Sequence, residues 1–335
     1  MIEKLSSKKA FSLIEVIFAL VILGIISSIG SSIIVQVYES YISQRAFYKT
    51  SLKTELVANQ IVNRLTYAIS SSTISKVTDQ NGTWIHSVPA IEKTDWIKLE
   101  DLLFGHSEFR SIEWIGYDND SFSASEIPGW SGVANYITST RDTLNTPGSN
   151  LTLSRDIINN LSNNQIDMNT NNSNSAAVIF NQKYNYYTDL QEYSPACMGL
   201  MNYPAIPIAD QNSSCIFPVQ RNSDTQLGFI RLNEPKIITE RYKLAWSAYA
   251  IVPEDPDGNN LWDLFLYSNY QPWNGEEYQT HGTKKLLMHN VSVFKFTKNG
   301  GVIQFKLCAS EDIGETNSTG GVVPISTCKE KVVLR

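Results

Sequence analysis

KKAFSLIEV, Lys8 to Val16, runs without a further charge into IFALVILGIISSIGSSIIVQVY, which ends at Tyr38. The reading of this chain turns on that stretch. From Val16 to Tyr38 no side chain is charged, and a helix of that length spans roughly 35 Å at about 1.5 Å per residue. A bilayer core is about 30 Å thick. The ten residues before Phe11, MIEKLSSKKA, are short and polar and end in Lys8, Lys9 and Ala10. Lysines flanking an apolar run stay on the cytoplasmic side, so everything after the run is expected outside. A secretory signal has an apolar core of roughly 7–15 residues closed by a small-residue cleavage site, and this run is longer. A simple anchor fits the length but not Glu15. A carboxylate inside an apolar helix costs roughly 2.5–3.5 kcal/mol on insertion scales, so such a group has a partner and a role.

One arrangement accounts for the length, the lysines and the acid together. The basic pair, the small Ala10, Phe11, the string LIEV and the long apolar helix, all in register, resemble the cleavage and methylation signature of type IV prepilins and pseudopilins. The resemblance covers about 30 of the 335 residues. It implies that a dedicated peptidase cuts between Ala10 and Phe11 and that Phe11 becomes an N-methylated N-terminus. The usual residue before the cut is Gly, and here it is Ala10. Glu15, fifth in the mature chain, is then the carboxylate that meets the Phe11 amine of a neighbouring subunit. Two charges that meet in an apolar core offset each other's desolvation, and removing one strands the other at several kcal/mol.

Beyond the apolar run, Tyr38, Tyr41, Ile42, Tyr48, Leu52, Leu56, Val62, Leu65 and Ile69 keep helical spacing, with Arg45, Lys49, Lys53, Asn59, Asn63 and Arg64 between them. One helix from near Phe11 to about Ser70 is predicted, apolar all round at first and amphipathic later. Two helices parted near Gly30 are the alternative. After residue 75 the period moves toward two. Strands are expected at Thr83–Val88, Ser111–Tyr117, Ala177–Phe180 and Gly228–Leu232. Stronger ones follow at Tyr242–Val252, Leu261–Tyr267, Val291–Thr297, Val302–Cys308 and Lys329–Leu334. Residues 155–161 read as a helical turn before an Asn-rich loop. The expected fold class is α+β, a long N-terminal helix on a C-terminal antiparallel sheet, which is also the fold the resemblance implies. The expected organisation is a leader over 1–10, a transmembrane or filament-core helix over 11–38 and its amphipathic continuation over 39–75. An elaborated insertion then fills 76–225 and the sheet domain 226–335.

Apolar residues make up 42% of the chain and charged residues 18%, enough to build a core. The net charge of -6 argues against a general nucleic-acid surface, which needs clustered cations. Four cysteines, an even number in an exported chain, point to disulfides. Three pairings are possible, and Cys197 with Cys215 and Cys308 with Cys328 each close a short loop. Asp255, Asp257, Asn259 and Asp263 place oxygens at alternating spacing, which loosely resembles a calcium loop without its closing Glu. A hairpin turn is the plainer reading of Asp-Pro-Asp-Gly. No cofactor is otherwise implied. Asn81 and Asn317 sit in acidic glycosylation sequons. His86, His106, His281 and His289 are isolated, and GxSxG, HExxH, a P-loop and a dinucleotide fingerprint are all missing from the sequence, so no catalytic activity is expected.

The resemblance therefore implies a structural subunit of a type IV pilus or type II secretion pseudopilus. Its length suits a minor subunit better than one repeated along a filament. Its partners would be other pilin-like subunits, the prepilin peptidase and the inner-membrane assembly platform. It would sit in the bacterial inner membrane, N-terminus cytoplasmic and C-terminal domain outside, before entering the filament. The alternative makes 76–225 the binding module of a pilus-associated adhesin or DNA-uptake subunit.

Overall fold

The computed structural model describes residues 12–85, 95–102, 108–169, 174–180, 184–185, 191–192, 194–201, 208–211, 214–230, 235, 237–255, 257–316 and 322–334. The chain falls into two compact units. One gathers the chain up to Ser51 with Glu311–Ile325, and the other takes Leu52–Ser310 with Ser326–Arg335.

A single helix, α1, runs from Leu13 to Thr66. It contains no proline, and Gly24 and Gly30 lie inside it without ending it. The alternative of two helices does not hold. The helix stops four residues before the expected Ser70 because β-structure captures its backbone. Tyr117 donates its N–H to the Tyr67 carbonyl at 2.9 Å, and Ile69 donates to the Ile115 carbonyl at 2.8 Å. Ser72 Oγ then caps the Ile69 carbonyl at 2.6 Å, and Lys298 Nζ donates to the Ser70 carbonyl at 2.8 Å.

The strands are β1 (Ile74–Val77), β2 (Trp96–Lys98), β3 (Phe109–Tyr117), β4 (Thr143–Asn145), β5 (Ala177–Phe180), β6 (Tyr184–Asn185), β7 (Gln191–Glu192), β8 (Phe217–Ser223), β9 (Gln226–Phe229), β10 (Tyr242–Glu254), β11 (Trp262–Tyr270), β12 (Thr283–Asn299), β13 (Val302–Thr316) and β14 (Val322–Leu334). Short helices α2 (Asn119–Phe122), α3 (Leu151–Leu161) and α4 (Tyr278–His281) lie between them. Among the described residues twelve strands form one sheet, with β14-β13-β12-β11-β10-β5-β8-β9-β4 as its spine and β3, β1 and β2 branching from β10. The recorded pairings are antiparallel. Strands from 76–225 thus enter the same sheet as the C-terminal ones. The strand expected at Thr83–Val88 is reduced to a bridge from Trp84 to Thr78, and residues 86–88 lie outside the described ones.

Within the larger unit, Val57, Ala58, Ile61 and Leu65 of α1 bury against Ile112, Trp114, Ile251, Leu264, Phe305 and Leu307 of the sheet. Each fully buried aliphatic side chain contributes about 1.5–3 kcal/mol relative to exposure. The packed face differs from the stripe that the spacing predicts: Leu65 is shared, but Leu52 and Leu56 stay 49% and 56% exposed, and Val57, Ala58 and Ile61 take their place against the sheet. A second core gathers Phe180, Phe217, Trp130 and Tyr242 between β4, β5, β8, β9, β10 and α3.

Candidate functional site

The first turn of α1 begins at Ser12, whose carbonyl accepts N–H bonds from Glu15 at 3.0 Å and Val16 at 3.3 Å. Glu15 sits in that first turn, where the helix dipole favours an acid. Its side chain is exposed, as are the large apolar residues that follow: Leu13 is 81% exposed, Phe18 64% and Ile34 70%. Large apolar side chains exposed on every side of a helix have no use for water. They mark a surface meant for lipid or for like helices. Among the described residues α1 is the helix long and apolar enough to cross a membrane. Ala10 and Phe11 lie outside the described residues. In the same unit the polar continuation of α1 begins with Lys49 and Thr50, which reach Glu311 at 3.0 and 2.8 Å.

Residues 5–31 match the family model of the prokaryotic N-terminal methylation motif. This is a prepilin-type N-terminus. The match spans the basic pair, Ala10, Phe11, Glu15 and the first half of the apolar run, and together with α1 it supports a type IV pilin-like precursor anchored in a membrane. No curated protein and no solved structure matches the chain.

In the larger unit, charged side chains lock α1 to the sheet. Glu55 of α1 lies 3.5 Å from Lys329 and also holds Lys331, both on β14. The Lys331 hydrogen bond is the main reason its carboxyl sits below the usual range. Cys308 on β13 is bonded to Cys328 on β14, and Cys197 to Cys215. That is the pairing the short loops favour.

The candidate calcium residues divide into two groups. Asp255 accepts N–H bonds from Asn259 at 3.1 Å and Asn260 at 2.9 Å, and the Asn259 side chain accepts from Leu261 N–H at 2.7 Å. Asp257 and Asn259 are exposed. Asp263 pairs with His289 at 2.9 Å. These contacts describe a β10–β11 hairpin held by its own side chains, with Gly258 at φ 66° and Asn260 at φ 62°. Among the described residues no three of His, Cys, Asp and Glu gather as a metal site. Asn81 lies exposed in a turn that Asp79 staples by accepting the Asn81 and Thr83 N–H groups. His86, His106 and Asn317 lie outside the described residues.

Two clusters escape sequence reading because their members are far apart along the chain. Lys76 on β1 and Glu113 on β3 form an ion pair of 2.6 Å with 3% and 2% of their side chains exposed. Tyr270 donates its hydroxyl to the other Glu113 oxygen at 2.8 Å, and the Lys76 ammonium lies 3.7 Å from the Trp84 ring centre. The second cluster is a cleft of about 690 Å³ beside the last turns of α1, lined by Arg64, Tyr117, Asp118, Trp246, Tyr249 and Lys285 among others. Burial pushes the Asp118 carboxyl up to about 6, against the pull of Ser121, which donates to it.

Proposed function

We propose that this chain is a minor subunit, a minor pilin or minor pseudopilin, of a type IV pilus or type II secretion pseudopilus. Its role in this reading is structural and not enzymatic. The prepilin peptidase cleaves between Ala10 and Phe11 and methylates the new amine. The mature α1 stays in the inner membrane, N-terminus cytoplasmic, until the assembly platform moves it into a filament with other pilin-like subunits. There Glu15 meets the Phe11 amine of a neighbour and fixes the axial stagger.

The observation that carries this reading is the methylation motif running unbroken into an exposed apolar helix with an acid in its first turn. The minor role draws its support from the size of the head, in which 76–225 adds strands to the sheet. A large, irregular head suits a subunit present in few copies. The test is Glu15→Ala in cells. The variant is expected to reach the membrane at wild-type levels and to be depleted by roughly tenfold or more from sheared filaments, as befits a stranded buried charge. Wild-type incorporation would reject the role of Glu15.

A further inference from the structure

The cleft beside the end of α1 holds two cations, Arg64 and Lys285, that form no ion pair among the described residues. Trp114, Tyr249 and Arg64 form a ladder. The Trp114 and Tyr249 rings stack with centroids 5.9 Å apart and planes 26° apart, and the Arg64 guanidinium lies 5.3 Å from the Tyr249 centroid. Gly116 makes the ladder possible, because a Cβ there would stand 2.6 Å from the Tyr249 ring. Arg64 is exposed, and among the described residues neither it nor Lys285 across the cleft has a carboxylate within ion-pair distance.

Of the two acids in the wall, Asp118 is buried and its oxygens accept from the Ser121 amide and hydroxyl. Asp120 stands exposed at the rim. A guanidinium held beside an aromatic ring loses less freedom on binding than a free one, and its planar fork suits a carboxylate. Gln60, one turn before Arg64, and Asn63, the residue just before it, also line the cleft and add carboxamides that pair with peptide groups.

We infer that this cleft docks an acidic segment of a neighbouring pilin-like subunit, with Arg64 as the carboxylate fork and Lys285 as the second cation. The inference rests on the filament reading above. It adds a contact made by the head, distinct from the contact made by Glu15. The charge of the cleft decides the occupant: an unpaired cation on each side, set on the flank of the helix that carries the subunit into a filament, complements an acidic partner chain.

The test uses the full-length protein in cells that make its pilin-like partners, with a photoreactive phenylalanine analogue replacing Asn63 and, in a second strain, Ile22 of the apolar helix. The Asn63 probe is expected to yield an adduct with a pilin-like subunit, mapped by mass spectrometry to a stretch rich in Asp or Glu. Arg64→Glu should lower that adduct by about tenfold or more, as loss of a close interfacial charge pair does. Exchanging the mapped acid for Arg should restore it. If Arg64→Glu does not accumulate, Lys285→Glu on the outer edge of β12 supplies the reversal with the same criteria.

The inference is overturned by no adduct at Asn63, by an adduct that charge reversal leaves unchanged, or by one that maps to a non-acidic stretch or a protein outside the pilin-like set. Adducts at Ile22 without adducts at Asn63 remove this docking site and leave the filament reading standing. Their absence at both positions removes both.

Discussion

Lys76 and Glu113 show how one pair of residues fixes the join between β1 and β3. Two charges have been taken out of water almost completely, and each is tolerable only because the other and Tyr270 are there. Lys76→Ala should cost about 3–5 kcal/mol in denaturant unfolding, because Glu113 is left charged and buried. The double change Lys76→Met with Glu113→Leu should cost far less, since it removes both desolvation penalties. Equal losses in the two variants would mean that packing alone holds the join. Asp118 makes a prediction in pH. Burial raises its folded pKa to about 6, above its unfolded value. The stability linked to its protonation is therefore present in acid and is lost as pH rises through about 6. Between pH 7 and pH 5 the protein should gain about 1.4 kcal/mol of stability from this group. Asp118→Asn should flatten that part of the thermal-unfolding profile. Neither cluster is visible in the sequence, where Lys76 and Glu113 are two ordinary charges among many, and only the antiparallel register of β1 on β3 brings them together.

At the scale of the element, α1 was legible as a helix because its apolar run is long, but its packed face was not: Leu65 buries as expected, while Ile61 buries in place of the exposed Leu52 and Leu56. Leu65→Ala should destabilise the head by about 2–5 kcal/mol, the cost of a buried leucine cavity, measured as a drop in unfolding midpoint. The strands were legible where apolar and β-forming residues follow one another with little interruption, as in strands buried on both faces. Ala177–Phe180 stands where expected, and β10 begins where expected at Tyr242. The first half of β12, Thr283–Asn290, escaped because Lys284, Lys285 and Leu286 stand exposed in a row and Asn290 takes φ 59° at an irregular register with β11. Asn269 does the same in β11 at φ 61°, where the pairing with β10 shifts. Such bulges suit Asn, which accepts the left-handed region more readily than β-branched residues do. Asn269→Val, a better strand former on propensity alone, should therefore lower the melting temperature, and a rise would refute the bulge as a determinant.

At the scale of the whole molecule, the chain joins a membrane-seeking handle to a large sheet head, and each carries a different kind of information. The handle was legible as a long apolar helix with a methylation motif at its start, because the uncharged run is long and the motif is compact. The head was legible as helix followed by antiparallel sheet, but not in its extent. Strands from 76–225 complete the sheet, so the residues expected to form an insertion are in part structural. The disulfides tie β13 to β14 and close the Cys197–Cys215 loop. The central claim is that the protein becomes a subunit by losing its leader. The most direct measurement is the N-terminal peptide of the protein purified from its own membranes, read by tandem mass spectrometry. The account predicts a chain that begins at Phe11 with a single added methyl on its amine. A chain that retains Lys8-Lys9-Ala10 ahead of an unmodified Phe11 would contradict it.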